Sequence, residues 1–140
     1  MTTTPGCLFC AIAAGDVPAT MVLRDDDVAA FLDARPVFKG HVLVVPRAHV
    51  PTLSDLPAAE MGTLFGAVQR VARAVEAGLD ADGTFVAMNN KVSQSVPHLH
   101  VHVVPRKKKD GLRGFFWPRV TYADDAEREA FAARIRDALR

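Results

Sequence analysis

The sequence predicts an α+β fold in which a mainly antiparallel sheet packs against one long helix. Short apolar runs separated by turn residues recur along the 140-residue chain, as in antiparallel strands joined by hairpins. Residues 57–79 differ, because their apolar residues recur every three or four positions, as on one face of a long helix. We therefore expect five strands, this long helix, a short amino-terminal helix and a carboxy-terminal helix.

The first half of the chain is predicted to hold one short helix and three strands. Residues 8–14 can form the helix, because Gly15 supplies the residue type that most readily ends one. Residues 21–23 and 28–32 flank three consecutive aspartates and fit a hairpin. A third strand is expected over residues 41–45.

The second half is predicted to begin with the long helix and to continue with two strands. Pro57 lies near the first position of this helix and Gly78 near its end, which are the favoured places for these residue types. The two strand candidates are residues 84–88 and residues 98–104.

We expect the chain to form one domain, residues 1–140, since it has the length of a single domain and no repeat or flexible linker divides it. The core would span residues 7–106. Residues 107–140 would form a tail that ends in a helix, because Asp124 and Glu127 have the spacing of a capping box.

Charge and composition narrow the possible partners. The net charge is +1 and 49% of the residues are hydrophobic, so neither disorder nor broad attraction to nucleic acid or membrane surfaces is indicated. No run of about eighteen apolar residues is present, and the first residues do not resemble a signal peptide. These features predict no nucleic-acid partner, no membrane partner and a cytoplasmic location.

Three of the five histidines alternate with apolar residues in one stretch, at positions 98, 100 and 102. On an extended strand, alternate side chains share a face, so the imidazoles would stand about 6.6 Å apart while Leu99 and Val101 pack inward. Such a row can serve a phosphate or a metal. A solvated strand face would more usually carry Thr, Lys or Glu, which argues against a chance pattern.

The two cysteines, Cys7 and Cys10, have Cys-x-x-Cys spacing. In a reducing compartment this spacing indicates metal or redox chemistry more often than a structural disulfide. A thioredoxin-like redox pair normally follows a strand, and none is predicted here before Cys7. Two buried free thiols are the remaining alternative.

The histidine stretch and several segments around it resemble the histidine triad (HIT) superfamily. Residues 97–106 match its signature of three histidines alternating with apolar residues. Further segments similar to those of family members are residues 7–18, 31–33, 40–46 with His49, 89–90 and 94–96. The resemblance covers roughly residues 7–106 and implies a HIT-like fold.

The resemblance implies a nucleotide hydrolase that acts at the α-phosphorus of purine nucleoside phosphoramidates or related conjugates. His100 would attack the phosphorus, and water or another acceptor would resolve the covalent nucleotidyl-histidine to release a nucleoside monophosphate. His102 would contact the phosphate, and His98 completes the catalytic row. Ser95 would hydrogen-bond the scissile bridge and help protonate the leaving group, unless it is only a turn residue.

The remaining residues implied for the site bind the nucleotide. Asp33 would accept hydrogen bonds from the ribose hydroxyls, although without the family it is only a turn aspartate. Residues expected to wall the base pocket, which could equally be ordinary core, are Leu8, Phe9, Ile12 and Phe31. Residues expected to add polar contacts are Asn89, Asn90, Gln94 and His41. Apolar walls would favour a purine.

The resemblance further implies a structural zinc ion and a partner. As in some members of the family, Cys7, Cys10, His49 and His98 would form a closed Cys₂His₂ site. Family members are typically homodimers with the carboxy-terminal segment near the partner's site, so Trp117 is a candidate for shaping specificity. The basic residues 106–109 are either a solvated loop or an attractor of polyphosphates.

Two other functions remain open. One is a dinucleoside polyphosphate hydrolase or nucleotidyl transferase that uses the same covalent step, although a serine rather than a threonine at position 95 favours the phosphoramidate reaction. The other is a zinc-stabilised nucleotide-binding module without catalysis, which the full set of expected catalytic residues disfavours.

Overall fold

The computed structural model describes residues 2–113 and 119–139, which divide into two units, Met1–Asp110 and Gly111–Arg140. The first unit contains the sheet and two helices, and the second contains one helix. Within the described ranges, no helix has both the length and the apolar character that a membrane crossing requires.

The first unit is built on a five-stranded sheet in which every neighbouring pair of strands is antiparallel, as predicted. The strands are β1 (Met21–Arg24), β2 (Val28–Leu32), β3 (Val42–Pro46), β4 (Gly83–Ala87) and β5 (Val101–Arg106). Their spatial order is β1-β2-β3-β5-β4. Strand β5 therefore lies between β3 and β4, where side chains on both of its faces can be covered.

Both faces of β2 and β3 are largely buried, so these two strands are apolar throughout rather than alternating. Val44 and Val101 belong to the core cluster on one face. Phe31 and Leu43 belong to a second cluster on the opposite face. Because successive side chains of a strand point to opposite faces, β2 and β3 each contribute to both clusters, whereas β5 adds Val101 and Val103 to the first cluster and carries His102 on its other face.

Helices α1 (Leu8–Ala14) and α2 (Met61–Leu79) each contribute to one of these clusters. Helix α1 ends where Gly15 adopts φ +88°, as predicted. Helix α2 begins later than expected, since Pro57 starts a separate 3-10 turn. It ends at Leu79, next to Gly78 as expected, and the backbone N–H of Asp80 (φ 51°) closes it on the Glu76 carbonyl.

The predicted strand over residues 98–104 is displaced, because β5 starts at Val101. Its partner β3 ends at Pro46, which has no backbone N–H to extend the ladder. The Leu99 N–H instead donates to the Val50 carbonyl at 2.7 Å. The first two histidines of the motif therefore precede the strand, while Leu99 and Val101 still pack into the core as expected.

The second unit contains α3 (Asp125–Ala138), which begins with the predicted cap. The Asp124 side chain accepts a hydrogen bond from the Glu127 N–H at 2.8 Å. The Glu127 carboxylate in turn accepts from the Ala123 N–H at 2.9 Å. The apolar side chain of Ile135 on this helix is exposed. Trp117 lies outside the described residues.

Candidate active site and metal cluster

A cleft of about 580 Å³ opens on the α1 side of the sheet, a size suited to a small-molecule ligand. Eight residues predicted for catalysis or nucleotide binding line it together: Leu8, Phe9, Ile12, Phe31, Asp33, Ser95, His100 and His102. They come from α1, from the end of β2, from the segment before β5 and from β5 itself. The fold thus brings together residues that are up to 94 positions apart in the sequence.

One end of the cleft is apolar. Phe9 packs edge-on against Phe31, with ring centroids 5.3 Å apart, and against the His100 ring at 5.0 Å. The segment that follows α1 also lines this end, at Val17, Pro18, Ala19 and Thr20. Sequence reasoning missed these four side chains. The sequence feature that could have identified them is their position just after Gly15, the residue that ends α1.

His100 is oriented by the backbone of the same motif. Its Nδ1–H donates to the His98 carbonyl at 2.8 Å. A carbonyl oxygen can only accept, so in the neutral ring the proton is on Nδ1 and Nε2 keeps its lone pair. The His100 ring is 3% exposed and lines the cleft. The cleft therefore contains one unprotonated imidazole nitrogen of defined tautomer.

His102 has the opposite tautomer because of the histidine behind it. The Val37 N–H donates to His41 Nδ1 at 3.1 Å, so the proton of neutral His41 is on Nε2. That Nε2–H donates to His102 Nδ1 at 2.9 Å. The proton of neutral His102 is consequently on Nε2. The two cleft histidines thus offer a lone pair at His100 and an N–H donor at His102.

Burial keeps His102 neutral. The pKa of His102 is lowered from 6.5 to about 4, mainly by desolvation and to a lesser extent by the neighbouring His100 and His41 rings, while Asp33 opposes the shift. The pKa of His41 is likewise lowered, mainly by burial. Near neutral pH this pair therefore acts through hydrogen bonds rather than through positive charge.

Asp33 follows β2 directly and is held on two sides. Its Oδ1 accepts the Arg35 N–H at 2.9 Å. Its Oδ2 lies 3.7 Å from His41 Nε2. Its own N–H donates to the His41 carbonyl at 2.9 Å. The carboxylate is thereby fixed at the edge of the cleft, and its remaining lone pairs can accept further hydrogen bonds.

Four of the expected nucleotide-binding residues lie apart from the cleft lining. His41 stands behind His102. The Asn90 side chain accepts from the Leu53 N–H at 2.8 Å. The Gln94 side chain accepts from the Lys91 N–H and donates to the Pro51 carbonyl. Asn89 donates to the Ser93 carbonyl at 3.3 Å. These amides hold the loop before Ser95 in place instead of facing the cleft.

The four predicted metal ligands also come together. The ligand atoms of Cys7, Cys10, His49 and His98 all lie within 4.8 Å of one another. Cys7 caps the amino terminus of α1, so Cys10 is on the first turn of that helix, facing the same point. Cys10 Sγ is 3.4 Å from His49 Nδ1 and 3.5 Å from His98 Nδ1. Burial raises the pKa of the Cys10 thiol.

The tautomer of His98 fits a metal ligand. Its Nε2–H donates to the Pro46 carbonyl at 2.7 Å, which leaves the Nδ1 lone pair directed at the cysteine sulfurs. This is the hydrogen bond that normally orients a metal-binding imidazole. Burial lowers the pKa of His98 to about 4, so the proton does not compete for Nδ1 at neutral pH. The donor set matches tetrahedral zinc.

A second group of possible ligands, Asp33, His41 and His102, does not fit a metal in the same way. The Val37 N–H occupies the lone pair of His41 Nδ1, so His41 Nε2 could bind a metal only after losing the single proton of the neutral ring. This group is better described as a hydrogen-bond relay that ends at the cleft.

Comparisons with known proteins agree with this arrangement. A sequence profile of the HIT domain matches residues 14–109. An uncharacterized HIT-like protein of Mycobacterium tuberculosis is 38% identical over 138 residues, or 95% of this chain and 92% of that protein. The crystal structure of a HIT-family member from Bacillus subtilis has a TM-score of 0.86 and 33% identity, and covers 96% of this chain and 98% of that one.

Other similar proteins have names that state an activity or a metal. Adenosine 5'-monophosphoramidase of Schizosaccharomyces pombe is 31% identical over 114 residues, 80% of this chain and 83% of that protein. The asymmetrical bis(5'-nucleosyl)-tetraphosphatase of the same organism is 42% identical over 84 residues, 59% of this chain and 46% of that protein. An Arabidopsis thaliana adenylylsulfatase is 32% identical over 108 residues, which is 76% of this chain and 55% of that protein.

A zinc-bound structure is also among the similar proteins. The crystal structure of a Zn-bound histidine triad family protein from Mycobacterium smegmatis has a TM-score of 0.73 and 37% identity, and covers 95% of this chain and 97% of that one. Sequence profile, identity over nearly the whole chain and three-dimensional similarity all lead to one assignment. The chain belongs to the histidine triad, or HIT, family.

Proposed function

We propose that the protein is a nucleotide hydrolase that cleaves purine nucleoside phosphoramidates, or related nucleotide conjugates, at the α-phosphorus. The observation that carries this proposal is the tautomer of His100, whose Nδ1–H is held by the His98 carbonyl while Nε2 keeps a lone pair in the cleft. An unprotonated imidazole nitrogen is a competent nucleophile near neutral pH. The relatives named for phosphoramidate, sulfate and polyphosphate derivatives support the same reaction class.

In the first step, the Nε2 lone pair of His100 forms a bond to the α-phosphorus and the bond between phosphorus and the leaving nitrogen breaks. The leaving amine keeps that electron pair and takes up one proton, which the Ser95 hydroxyl helps to deliver. In the second step, water attacks the nucleotidyl-histidine and His100 leaves with its electron pair. The products are a nucleoside monophosphate, the free amine and the regenerated imidazole.

The other cleft residues bind and orient the substrate. His102 donates its Nε2–H to a non-bridging phosphate oxygen, where negative charge builds up during attack. Asp33 accepts the ribose hydroxyls, as its fixed carboxylate allows. The apolar end around Phe9 and Phe31 takes the base, and its lack of charged side chains favours a purine without strongly selecting adenine or guanine.

The experiment is to trap the intermediate. Wild-type protein is mixed with adenosine 5'-phosphoramidate, quenched with denaturant at high pH, and its peptides are analysed by mass spectrometry. We expect one adenylyl group on the peptide containing His100, no adduct in His100→Asn, and a wild-type yield in Asp26→Asn, which alters an exposed turn. Unchanged turnover by His100→Asn would remove His100 from this role.

The alternatives are decided by assaying adenosine phosphoramidate, a diadenosine polyphosphate and adenylyl sulfate side by side. Faster turnover of the polyphosphate would favour the polyphosphate hydrolase. If wild type binds AMP but releases none from any of the three compounds, the protein is a nucleotide-binding module. The homodimer and the cytoplasmic location remain predictions, and light scattering coupled to gel filtration tests the first of them.

We also propose that Cys7, Cys10, His49 and His98 hold a structural zinc ion. Four protein ligands would leave no open position, so the ion would tie α1 to the histidine motif rather than activate water. The mutual approach of the four ligand atoms supports this, as does the zinc-bound relative. Metal analysis of protein expressed with ample zinc should give about one equivalent, whereas less than about a tenth would argue for free thiols.

A further inference from the structure

A side cavity gives solvent a route to the cluster of Cys7, Cys10, His49 and His98. This cavity has a volume of about 470 Å³ and opens beside the cleft. Cys7 and His49 line it, and Cys7 is partly exposed. Cys10 and His98 are buried and are not among its lining residues. A small molecule that enters the side cavity therefore meets Cys7 first, with Cys10 directly behind it.

The two cysteines are placed to form a disulfide with each other. Their sulfurs lie within 4.8 Å of one another, and a disulfide holds two sulfurs at about 2.05 Å. The Cys10 N–H donates to Cys7 Sγ at 3.4 Å, so Cys7 faces Cys10 across the first turn of α1. The Cys-x-x-Cys spacing is also that of known thiol redox pairs. A movement of the sulfurs by less than about 3 Å would join them.

The lining of the side cavity selects the reagents that can reach Cys7. No lysine or arginine is among its described lining residues, and most of the others are apolar or small, as are Leu8, Val96 and Pro51. An anionic reagent would lose hydration there without gaining a cation. A hydroperoxide is small and uncharged, so it avoids this cost.

We propose that Cys7 and Cys10 are a redox modification site, which a small uncharged hydroperoxide oxidises to a disulfide so that two of the four metal ligands are lost. The inference goes beyond the proposed hydrolase and uses none of its chemistry. The release of metal rests on the proposed zinc ion, whereas formation of the disulfide does not.

The oxidation takes two steps. The Cys7 thiolate attacks one oxygen of hydrogen peroxide, the O–O bond breaks, and the other oxygen leaves with the electron pair and is protonated to water. The Cys10 thiolate then attacks the sulfur of the Cys7 sulfenic acid, the S–O bond breaks, and hydroxide leaves and is protonated to a second water. Two thiolates, one peroxide and two protons thus give one disulfide and two waters, and the peroxide takes up the two electrons that the sulfurs lose.

Oxidation is expected to reach the nucleotide site through α1. The disulfide would turn Cys10 Sγ away from His49 Nδ1 and His98 Nδ1, which lie 3.4 and 3.5 Å from it. Phe9, between the two cysteines, packs against the His100 ring at 5.0 Å. A helix of seven residues is marginal without tertiary anchors, so the loss of these contacts should loosen the wall of the cleft.

The first test follows zinc, mass and nucleotide binding in zinc-loaded wild-type protein treated with hydrogen peroxide. We expect about one equivalent of zinc to reach a chromophoric chelator while the peptide with residues 7 and 10 loses two hydrogen atoms. AMP binding should weaken about tenfold. Dithiothreitol with added zinc should restore all three, which assigns the effect to cysteine, because methionine sulfoxide needs its own reductases.

Two reagents test the selectivity of the side cavity. The rates of zinc release by hydrogen peroxide and by the anionic disulfide of glutathione are each divided by the rate of the same reagent with N-acetylcysteine. This ratio should be at least about tenfold lower for glutathione disulfide. Equal ratios would overturn the role of the cavity in selecting the oxidant.

A matched pair of variants tests the route. Thr4 lines the side cavity and Thr3 does not, and both are exposed. Thr4→Phe should slow oxidation by hydrogen peroxide several-fold, whereas Thr3→Phe should leave its rate unchanged. Both variants should bind zinc and AMP as wild type does before oxidation. Equal rates in the two variants would show that the oxidant does not pass through this cavity.

Single-cysteine variants test the order of the two steps. Cys10→Ser keeps the accessible cysteine without its resolving partner, so dimedone should trap a sulfenic acid on Cys7. Cys7→Ser keeps only the buried cysteine and should give little adduct. Equal labelling would overturn the assignment of Cys7 as the attacking residue.

The outcomes separate this inference from the proposed function. If peroxide oxidises N-acetylcysteine but forms no Cys7–Cys10 disulfide, the redox site is overturned while the hydrolase stands. If the disulfide forms and AMP binding is unchanged, its link to the cleft is overturned. Failure to release AMP from any phosphoramidate would overturn the hydrolase alone, since zinc release and peptide mass do not depend on turnover.

Discussion

His41 shows how a buried residue can set the chemistry of a neighbour in the cleft. It is 3% exposed and stands behind His102, where the Val37 N–H determines its own tautomer and, through it, that of His102. This geometry suits His41 to position His102, since His41 itself is not among the residues that line the cleft. Its backbone adds to this role, because the His41 carbonyl accepts the Asp33 N–H.

We therefore predict that His41→Leu lowers kcat about 10- to 100-fold with little change in KM, which is the usual cost of losing an orienting partner. His41→Gln keeps a donor and should recover part of kcat. The ¹⁵N chemical shifts of His102 should report the loss of the Nε2–H tautomer in His41→Leu alone. A rise in KM at unchanged kcat, with the His102 tautomer preserved, would contradict this role.

At the scale of elements, α1 links the cluster of Cys7, Cys10, His49 and His98 to the apolar end of the cleft. Cys7 and Cys10 occupy its cap and first turn, while Phe9 between them packs against His100 at 5.0 Å. His98 is shared as well, because its ring lies in the cluster and its carbonyl orients His100. A change in the cluster should therefore reach the nucleotide site through both the helix and the motif.

Metal removal is expected to loosen this helix. Chelation of the wild-type protein should speed amide hydrogen exchange in α1 and weaken AMP binding about tenfold, because a seven-residue helix is marginal without tertiary anchors. Cys7→Ser should show the same changes before chelation, and chelator should then add little. Identical exchange with and without metal would show that packing alone holds α1.

The loop before Ser95 contains two residues with left-handed backbone, Lys91 (φ 70°) and Ser93 (φ 59°). Residues other than glycine adopt this conformation at a cost of about 1 kcal/mol or more. Lys91→Gly and Ser93→Gly should each raise the Tm by roughly 2–4 °C. Val92 lies between them and has no positive φ, so Val92→Gly should not raise the Tm. Equal effects at all three positions would show that backbone strain is not the cause.

For the whole molecule, the buried histidines make stability depend on pH. The pKa of His102 is about 4 in the fold against 6.5 in its ordinary state, so between these values the unfolded chain binds more protons. The contribution of His102 to the free energy of unfolding is therefore complete above pH 6.5 and is lost as the pH falls towards 4. The free energy of unfolding, measured in urea, should fall by on the order of 2 kcal/mol between pH 7 and pH 5 because of His102.

The contribution of His102 can be isolated by comparison with His102→Gln under the same metal conditions. The histidines of the metal cluster and the acidic residues are common to both proteins, so their effects cancel in the difference. Between pH 7 and pH 5, we expect the free energy of unfolding to fall less for His102→Gln than for wild type. Parallel curves would show that His102 does not carry the dependence.

Much of the fold and of the cleft followed from local pattern. Five strands and three helices could be predicted because buried strands, an amphipathic helix and capping residues each leave a short-range signal. The HIT resemblance predicted eight of the residues that line the cleft. Element starts were less accurate: a separate 3-10 turn precedes α2 at Met61, and the Leu99 N–H bonds to the Val50 carbonyl before β5 begins at Val101.

The sequence by itself determined the family, the fold class and the chemical types at the site, since these depend on residue identity and spacing. The tertiary structure alone decided which histidine ring nitrogens are protonated and where the side chains point. It placed His41 behind His102 and turned Asn90 towards Leu53, away from the cleft. It also set the opposite tautomers of His100 and His102, because a tautomer depends on which donor or acceptor lies within hydrogen-bonding distance, and those partners come from remote parts of the chain.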